Sequence, residues 1–317
     1  MSGAEASCAL WRGGYRMSFM TRSGTMNRRR FLAISAAALA ASSATALAEP
    51  TIWSGYALGA EVKISLVGGT PEQALRTFGK MEAVLNGVEE HFSLYRDSAL
   101  TRLNRIGRLT HPPTAMISLF QLVDHIHAAT EGLFDPTILP LWLAIAGSGD
   151  VKHAQQLVGW HRVHVSEDEI ALEPGMQLTF NGIAQGHAAD LVALLLAEEG
   201  YRDVMIDTGE ISARGLRPDG KCWRADIMLP SGRLVGRAEL SDMALAVSSP
   251  EGTRIGPGAP HIVNPREQLP PVWKLAAVSA SSAAVADGLS TAFCLMDRSA
   301  IDRTLAVLPE VHLQAII

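Results

Sequence analysis

The stretch LTFNGIAQGHAADLVALLLAEEG, residues Leu178–Gly200, predicts a short strand, a loop with two glycines and a helix. The strand covers Leu178–Phe180 and the helix covers Ala188–Glu199. Glycine lets the backbone approach a ligand closely, and free N–H groups at a helix start attract anions, so the loop is a candidate phosphate-binding element. It matches neither the dinucleotide-binding fingerprint nor the Walker motif. Taken alone, the stretch is therefore interpreted as an ordinary strand-to-helix connection.

The sequence around this stretch predicts more strands than helices, with most strands joined as hairpins. Strands are expected at residues 56–67, 163–165, 170–172, 204–206, 223–229, 234–240, 244–247 and 274–278. A capping box begins at Thr70, and the helix after it repeats apolar residues at Leu75, Phe78, Met81, Val84 or Leu85, and Val88. Further helices are expected at residues 114–129 and 281–296. This mixture favours an α+β fold over a doubly wound parallel sheet.

Composition sets the size and the charge of the protein. The chain has 317 residues, 48% hydrophobic and 19% charged, which is enough for one large or two smaller cores. Residues 1–48 carry six arginines and one glutamate, so 21 basic and 31 acidic residues follow them, a net charge of about −10. An acidic chain argues against nucleic-acid binding. Only Cys222 and Cys294 follow residue 48, so no disulfide framework is expected.

The N-terminal residues are typical of an export signal. Arg28-Arg29-Arg30-Phe31-Leu32 precedes the apolar run Ala33–Leu47, and Ala46-Leu47-Ala48 resembles a cleavage site. The Arg-Arg-x-Phe-Leu pattern also predicts the twin-arginine route, with residues 1–25 as an over-long start. We therefore expect a signal peptide at 1–48, a mature chain from 49 to 317 without a transmembrane segment, and a periplasmic location.

Three side chains are candidates for chemistry. Asp287 and Thr291 are four residues apart on a predicted helix and share one face, so two oxygen donors could bind a hard cation such as Mg²⁺. The alternative is that Thr291 bonds back to its own helix while Asp287 caps it or faces solvent. His261 follows a loop rich in Gly and Pro, and is either a structural histidine or a base.

Five motifs occur in order along the chain, and together they resemble the ApbE family. They are Tyr95 to Asn104 (Tyr-x-x-x-Ser-x-Leu-x-x-Leu-Asn), Gly132 to Thr137 (Gly-x-Phe-Asp-Pro-Thr), Gly182 to Asp190 (Gly-Ile-Ala-x-Gly-x-Ala-x-Asp), His261 to Pro265 (His-Ile-x-x-Pro) and Ala286 to Thr291 (Ala-Asp-Gly-Leu-Ser-Thr). The resemblance covers essentially all of residues 49–317. It implies an ApbE-like, T-fold-like α+β fold of mixed, largely antiparallel sheets packed with helices.

The resemblance also implies an activity and a set of site residues. Members of this family transfer FMN from FAD to a Thr or Ser hydroxyl of a redox protein and release AMP, with Mg²⁺ bridging the phosphates. Gly182, through its carbonyl, Asp287 and Thr291 would bind the metal, and His261 would accept the proton of the target hydroxyl. The residues implied to line the FAD site are Leu58, Tyr95, Leu133, Phe134, Asp135, Thr179, Gln185 and Ile262.

Some positions depart from the family pattern, and they leave alternatives open. Thr179 stands where Asp is usual, Gln185 where Lys or Glu is common, and Asn264 where Asp is usual. The first alternative is an FAD pyrophosphatase that releases FMN and AMP. The second is a non-catalytic flavin-binding assembly factor for a respiratory enzyme such as nitrous oxide reductase, whose exported flavin transferases also resemble this chain.

Overall fold

The computed structural model describes residues 49–317, which contain eight α-helices and fourteen strands. The helices are α1 (Pro71–Phe92), α2 (Ala99–Ile106), α3 (Thr114–Ala129), α4 (Leu139–Gly147), α5 (Val151–Gln156), α6 (Ala184–Glu198), α7 (Ala283–Phe293) and α8 (Arg298–Val307). The strands are β1 (Thr51–Ala57), β2 (Ala60–Leu66), β3 (Arg108–Thr110), β4 (His164–Val165), β5 (Glu169–Ala171), β6 (Val204–Asp207), β7 (Ile211–Arg214), β8 (Trp223–Met228), β9 (Leu234–Leu240), β10 (Met243–Ser248), β11 (Arg254–Ile255), β12 (Ala259–Pro260), β13 (Ala276–Ala280) and β14 (His312–Ile316). The predicted signal peptide, residues 1–48, lies outside the described residues.

Seven strands form the central sheet, in the order β1-β2-β6-β7-β10-β13-β14. Every neighbouring pair in this sheet is antiparallel. Three small sheets accompany it, β3-β5-β4, β8-β9 and β11-β12. The predicted α+β class with largely antiparallel sheets is confirmed.

The central sheet is covered on both faces, and alternation along β10 explains why. Ala244 and Ala246 face the large core shared with the helices, whereas Leu245 between them faces a second core. Successive side chains of a strand point to opposite faces, so an unbroken apolar run is buried on both sides. Trp223 and Leu240 of the β8–β9 hairpin belong to the second core. The molecule is therefore built in three layers: helices, the central sheet and the hairpin.

Helices α6 and α7 lie unusually close together. A Cβ built on Gly186 of α6 would lie 2.3 Å from the backbone oxygen of Ala283 in α7, so only glycine fits there. One turn further along α6, the Asp190 carboxylate accepts hydrogen bonds from the backbone N–H groups of Ala283 and Ala284 at 2.7 and 3.0 Å. This carboxylate satisfies N–H groups that have no partner within α7 and lies at the positive end of its dipole.

Two of the sequence predictions for this region are wrong. The backbone of Leu178–Phe180 is not paired to another strand, because the Asn104 side chain bonds both the N–H and the C=O of Leu178 at 2.7 and 2.9 Å. The central helix begins at Ala184 instead of Ala188. Gln185 and Gly186 therefore belong to the first turn of α6. Gly186 was expected in a loop, but it lies in the helix where α6 packs closely against α7.

Other boundaries also differ from the predictions. The single opening strand predicted at residues 56–67 is interrupted by the turn of the β1–β2 hairpin at Leu58 and Gly59, both with positive φ (53° and 79°). Thr70 caps α1 as predicted, but Gln73 donates to Glu199 O at 3.1 Å and leaves the capping box half complete. Leu75, predicted to be core, is 50% exposed.

The remaining predicted elements are confirmed, with small shifts. Helix α3 spans the predicted residues 114–129, and α7 lies within 281–296. The hairpins β4–β5 and β8–β9 pair as expected. The strand predicted at 274–278 lies at Ala276–Ala280. None of the helices in residues 49–317 is long and apolar enough to cross a membrane.

We expect Gly186→Ala to lower the free energy of unfolding by about 1–3 kcal/mol, the usual cost of an added methyl group that forces backbone to move. The control is Gly79→Ala on the exposed face of α1, where an added Cβ meets nothing within 4 Å. That change should raise stability by up to about 1 kcal/mol. Urea denaturation followed by circular dichroism measures both variants. Equal effects of the two substitutions would contradict the close α6–α7 contact.

Candidate functional site

Two motifs that are about one hundred residues apart in the chain meet at Gly182. A Cβ placed on Gly182 would lie 3.2 Å from the Thr291 hydroxyl oxygen and 3.4 Å from the ring of Phe134. The loop before α6, the last turn of α7 and the segment after α3 therefore converge at one point. The absence of a side chain at Gly182 leaves its backbone open to the Thr291 hydroxyl.

Asp287 lies one helical turn before Thr291 and is 3% exposed. Its Oδ2 accepts a hydrogen bond from the Gly186 N–H at 3.1 Å. Burial raises the pKa of Asp287 from 3.8 to about 7, the Gly186 hydrogen bond opposes the rise, and the nearby Asp190 charge adds to it. The alternatives in which Asp287 faces solvent or caps its helix do not describe this structure. A carboxyl so placed needs a compensating charge when it ionises.

Glu210, at the end of the turn between β6 and β7, is a second buried carboxyl that the sequence analysis did not select. Only 8% of it is exposed. Its pKa is raised well above the ordinary value, first by burial and then by the charge of Asp287. Two carboxyl groups that repel each other in a buried place are a recognised mark of a functional site. The signal in the sequence that could have identified Glu210 is its position just after a strand predicted to be buried.

The oxygen donors at this junction suit a hard cation. Asp287 offers a carboxylate, Thr291 a hydroxyl and Gly182 a backbone carbonyl, and Mg²⁺ binds oxygen ligands of these kinds. Within residues 49–317, no three His, Cys, Asp or Glu side chains converge into a closed metal site. Mg²⁺ commonly uses one or two carboxylates and completes its shell with substrate phosphates, so this donor set fits a shared site. The ligand roles themselves stay predictions.

His261 has a defined tautomer. Its Nδ1 lies 3.1 Å from the carbonyl oxygen of Thr253, which can only accept, so Nδ1 carries the proton. Nε2 then holds the free lone pair that a base requires. The indole N–H of Trp142 in α4 donates to the His261 carbonyl at 3.1 Å, which fixes this loop next to the segment after Asp135.

The residues predicted to line the FAD site fall into two groups. Phe134, Asp135 and Thr179 lie together beside Gly182, because the Thr179 N–H donates to the Pro136 carbonyl at 2.8 Å. The Asp135 carboxylate accepts from the Thr137 N–H and hydroxyl at 2.8 and 2.6 Å and from the Trp160 N–H at 3.2 Å. The Asp135 carboxylate therefore fixes the conformation of the loop that follows α3.

The remaining residues of this group are also fixed by local contacts. Leu133 is half-buried against the main core, and Ile262 is buried in it with Phe134. The Gln185 carbonyl accepts from the Thr208 hydroxyl at 3.0 Å. Asn264, one of the departures from the family pattern, closes a turn by accepting from the N–H groups of Arg266 and Glu267.

Leu58 and Tyr95 form the second group, and Glu89 joins them. One Glu89 oxygen accepts from the Leu58 N–H at 2.9 Å, and the other accepts from Arg96 at 2.8 Å, next to Tyr95. Tyr95 is 74% exposed. Glu89 thus fixes the hairpin tip to the loop after α1, a role that sequence spacing did not reveal.

The fold and the site together define an enzyme with a buried acidic centre at a glycine-rich helix start. The model of the ApbE family matches residues 58–317. A protein of Klebsiella pneumoniae named FAD:protein FMN transferase is 25% identical over 291 residues, covering 80% of this chain and 82% of its own. A relative of the same name from Chlamydia trachomatis is 25% identical over 250 residues, covering 70% of this chain and 77% of its own.

Solved structures agree with the sequence matches. The apo flavinyl transferase ApbE of Pseudomonas stutzeri superimposes with a TM-score of 0.71 at 26% identity, over 82% of this chain and 88% of that one. The ApbE protein of Thermotoga maritima reaches 0.74 at 19% identity, over 85% and 96%, and shows the fold alone. This chain belongs to the ApbE family and is a transferase, and the predicted ApbE-like fold is confirmed.

The buried acids should make stability of the metal-free protein depend on pH. The pKa of Asp287 is raised from 3.8 to about 7 on folding, so the native state holds a proton that the unfolded state has lost. The free energy of unfolding should therefore fall as pH rises from about 4 to about 7, by a few kcal/mol at about 1.4 kcal/mol per pKa unit. Asp287→Asn keeps an acceptor for the Gly186 N–H without the charge, and should make this dependence shallower, leaving the part that Glu210 contributes.

Urea denaturation from pH 4 to pH 8 in EDTA measures this dependence. Asp302→Asn is the control, because Asp302 is an exposed carboxylate of α8 paired only with Arg298 at 2.9 Å in the described part of the chain. The control should follow the wild type. The assignment of a buried, proton-binding Asp287 is wrong when wild type and Asp287→Asn lose stability in parallel.

Proposed function

We propose that this protein transfers FMN from FAD to a Thr or Ser hydroxyl of a periplasmic or membrane redox protein, with release of AMP and dependence on Mg²⁺. The membership in the ApbE family and the relatives named FAD:protein FMN transferase support flavin transfer. The Arg-Arg-x-Phe-Leu pattern of the N-terminal residues supports export.

One observation carries the proposal: the contact between the loop at Gly182 and the turn that holds Asp287 and Thr291. The Gly182 backbone lies beside the Thr291 hydroxyl, and the Gly186 N–H bonds the Asp287 carboxylate. A diphosphate needs both a cation and a place where backbone can approach it closely. This junction supplies oxygen ligands and a glycine in one place.

The residues at the junction would bind and orient the diphosphate. Asp287, Thr291 and the Gly182 carbonyl would hold Mg²⁺, and the bound ion would supply positive charge to the phosphates. Phe134 is buried, with its ring 3.4 Å from a Cβ placed on Gly182, and would exclude water from one side of this place. Catalysis of this kind consists mostly of positioning and electrostatic stabilisation.

His261 would receive the proton in the transfer step. The hydroxyl oxygen of the target attacks the phosphorus on the FMN side of the diphosphate and forms a new P–O bond. The bond from that phosphorus to the bridging oxygen breaks, and the oxygen leaves with AMP. The hydroxyl proton goes to Nε2 of His261, the nitrogen that its contact with Thr253 leaves unprotonated.

The direct test incubates the purified protein with FAD, Mg²⁺ and candidate target proteins, followed by in-gel flavin fluorescence. A fluorescent target band and an equal amount of AMP support transfer. Release of AMP without any acceptor would instead indicate an FAD pyrophosphatase. FAD binding without AMP release across a fair panel of targets would indicate a non-catalytic assembly factor.

Asp287→Ala should lower FMN transfer at least about 100-fold, because the carboxylate is the only charged member of the proposed cation site. The protein should stay folded, because relief of the repulsion with Glu210 offsets the loss of the acceptor for the Gly186 N–H. Asp302→Ala is the matched control and should keep wild-type activity. Rates are measured by fluorescence at saturating Mg²⁺, with circular dichroism to check folding. Unchanged turnover in Asp287→Ala would contradict the assignment of Asp287 as a metal ligand.

His261→Ala should lower the transfer rate about 100-fold or more while FAD affinity changes little, as expected for loss of a general base. The control is His125→Ala, because His125 is an exposed histidine whose Nδ1 also faces a carbonyl, that of Gln121 at 2.7 Å. Single-turnover rates and FAD titrations separate the two effects. Loss of FAD binding together with rate would show that His261 serves binding instead of proton transfer.

A further inference from the structure

Two serine hydroxyl groups connect the Thr291 hydroxyl to the backbone carbonyl of Asp287 in α7. The Ser248 oxygen, at the end of β10, lies 3.3 Å from the Thr291 hydroxyl and 2.7 Å from the Ser290 hydroxyl. The Ser290 hydroxyl lies 3.0 Å from the carbonyl oxygen of Asp287. Ser290 is completely buried. We call Thr291, Ser248, Ser290 and the Asp287 carbonyl the hydroxyl chain.

The direction of every bond in the hydroxyl chain follows from proton counting. A hydroxyl has one proton to donate and two lone pairs, whereas a carbonyl oxygen can only accept. The proton of Ser290 therefore goes to the Asp287 carbonyl. Ser248 must then donate its proton to Ser290, and Thr291 must donate its own to Ser248. The Thr291 proton is thus directed at the Ser248 oxygen.

This direction determines what Thr291 can offer. A helical threonine usually bonds the carbonyl one turn earlier, which here is that of Asp287. That carbonyl accepts instead from Ser290, and within residues 49–317 Thr291 makes no side-chain bond to a helical carbonyl. With its proton committed to Ser248, the Thr291 oxygen has its lone pairs free beside Gly182. A hard cation requires an oxygen in this state.

We propose that Ser248 and Ser290 are positioning residues that hold the Thr291 proton away from the site, so that its hydroxyl serves a divalent cation purely as a lone-pair donor. The inference rests on the proposed Mg²⁺-dependent function and extends it to two residues outside the ligand set. Ser248 also ties β10 to α7, so the central sheet fixes the rotamer of Thr291. Outer-shell partners of this kind change metal affinity by about 10- to 100-fold when they are removed.

The test measures the dissociation constant of Mn²⁺, by electron paramagnetic resonance of the free ion, for the mature chain with and without FAD. Ser248→Ala and Ser290→Ala should each weaken Mn²⁺ binding about 10-fold. In Ser290→Ala the Ser248 proton loses its acceptor and turns to the Thr291 oxygen, where it competes with the cation. The double variant should be no weaker than either single variant, because both interrupt one chain. Ser248→Thr, which keeps the hydroxyl, should recover most of the affinity.

Ser249→Ala is the matched control. Ser249 follows Ser248 directly, and its hydroxyl donates to the Lys274 carbonyl at 2.7 Å, outside the hydroxyl chain. It should bind Mn²⁺ as the wild type does. Wild-type affinity in Ser248→Ala, or effects of the two serines that add, would overturn the inference.

The measurement also separates this inference from the proposed function. Mn²⁺ binding that depends on Ser248 and Ser290 in a protein that transfers no FMN would support the hydroxyl chain and reject the transferase reaction. FMN transfer that is lost in Asp287→Ala, but is kept in Ser248→Ala together with an unchanged Mn²⁺ affinity, would support the transferase reaction and reject the hydroxyl chain. Absence of Mn²⁺ binding in the wild type, even with FAD, would overturn the hydroxyl chain as a device for cation binding.

Discussion

The rest of the site depends on the backbone contact between α6 and α7. Gly186 has no side chain, and this lets the first turn of α7 approach α6 until the Ala283 carbonyl nearly touches it. The Asp190 carboxylate then caps α7 from the side, and the Gly186 N–H reaches Asp287. Since a helix is rigid over two turns, fixing its start also fixes Asp287 and Thr291. One glycine thus places the acidic centre beside Gly182.

This arrangement stabilises the helix pair and at the same time stores electrostatic repulsion. Asp287 and Glu210 are both buried, and each loses hydration when it ionises. Apolar residues of the same size would be more stable there, as is usual for buried charged groups. Under the proposed function a cation offsets this cost, so Asp287, whose ionisation weakens the metal-free protein, would also bind the metal. The large core shared by the helices and the central sheet makes the cost tolerable.

The sequence predicted the parts of the site that depend on local periodicity. Asp287 and Thr291 share a helix face because they are four residues apart, and hairpins such as β8–β9 follow from alternation. The sequence patterns did not predict the features that depend on contacts between residues far apart in the chain. The backbone of Leu178 is bonded by the Asn104 amide instead of by a neighbouring strand, and Glu210 became important only when folding buried it beside Asp287. Spacing within a segment carries no information about either contact.

The two groups of residues predicted to line the FAD site are built differently, and under the proposed function this difference suits a protein as acceptor. At the Gly182 end, backbone contacts and buried hydroxyl groups leave little freedom of movement. In the second group, Glu89 bonds the Leu58 N–H and the Arg96 side chain next to Tyr95, and the tyrosine is 74% exposed. Transfer to a small molecule would favour enclosure on all sides. A macromolecular hydroxyl must instead enter from solvent, so a rigid cation end and an open outer end are what the proposed reaction requires.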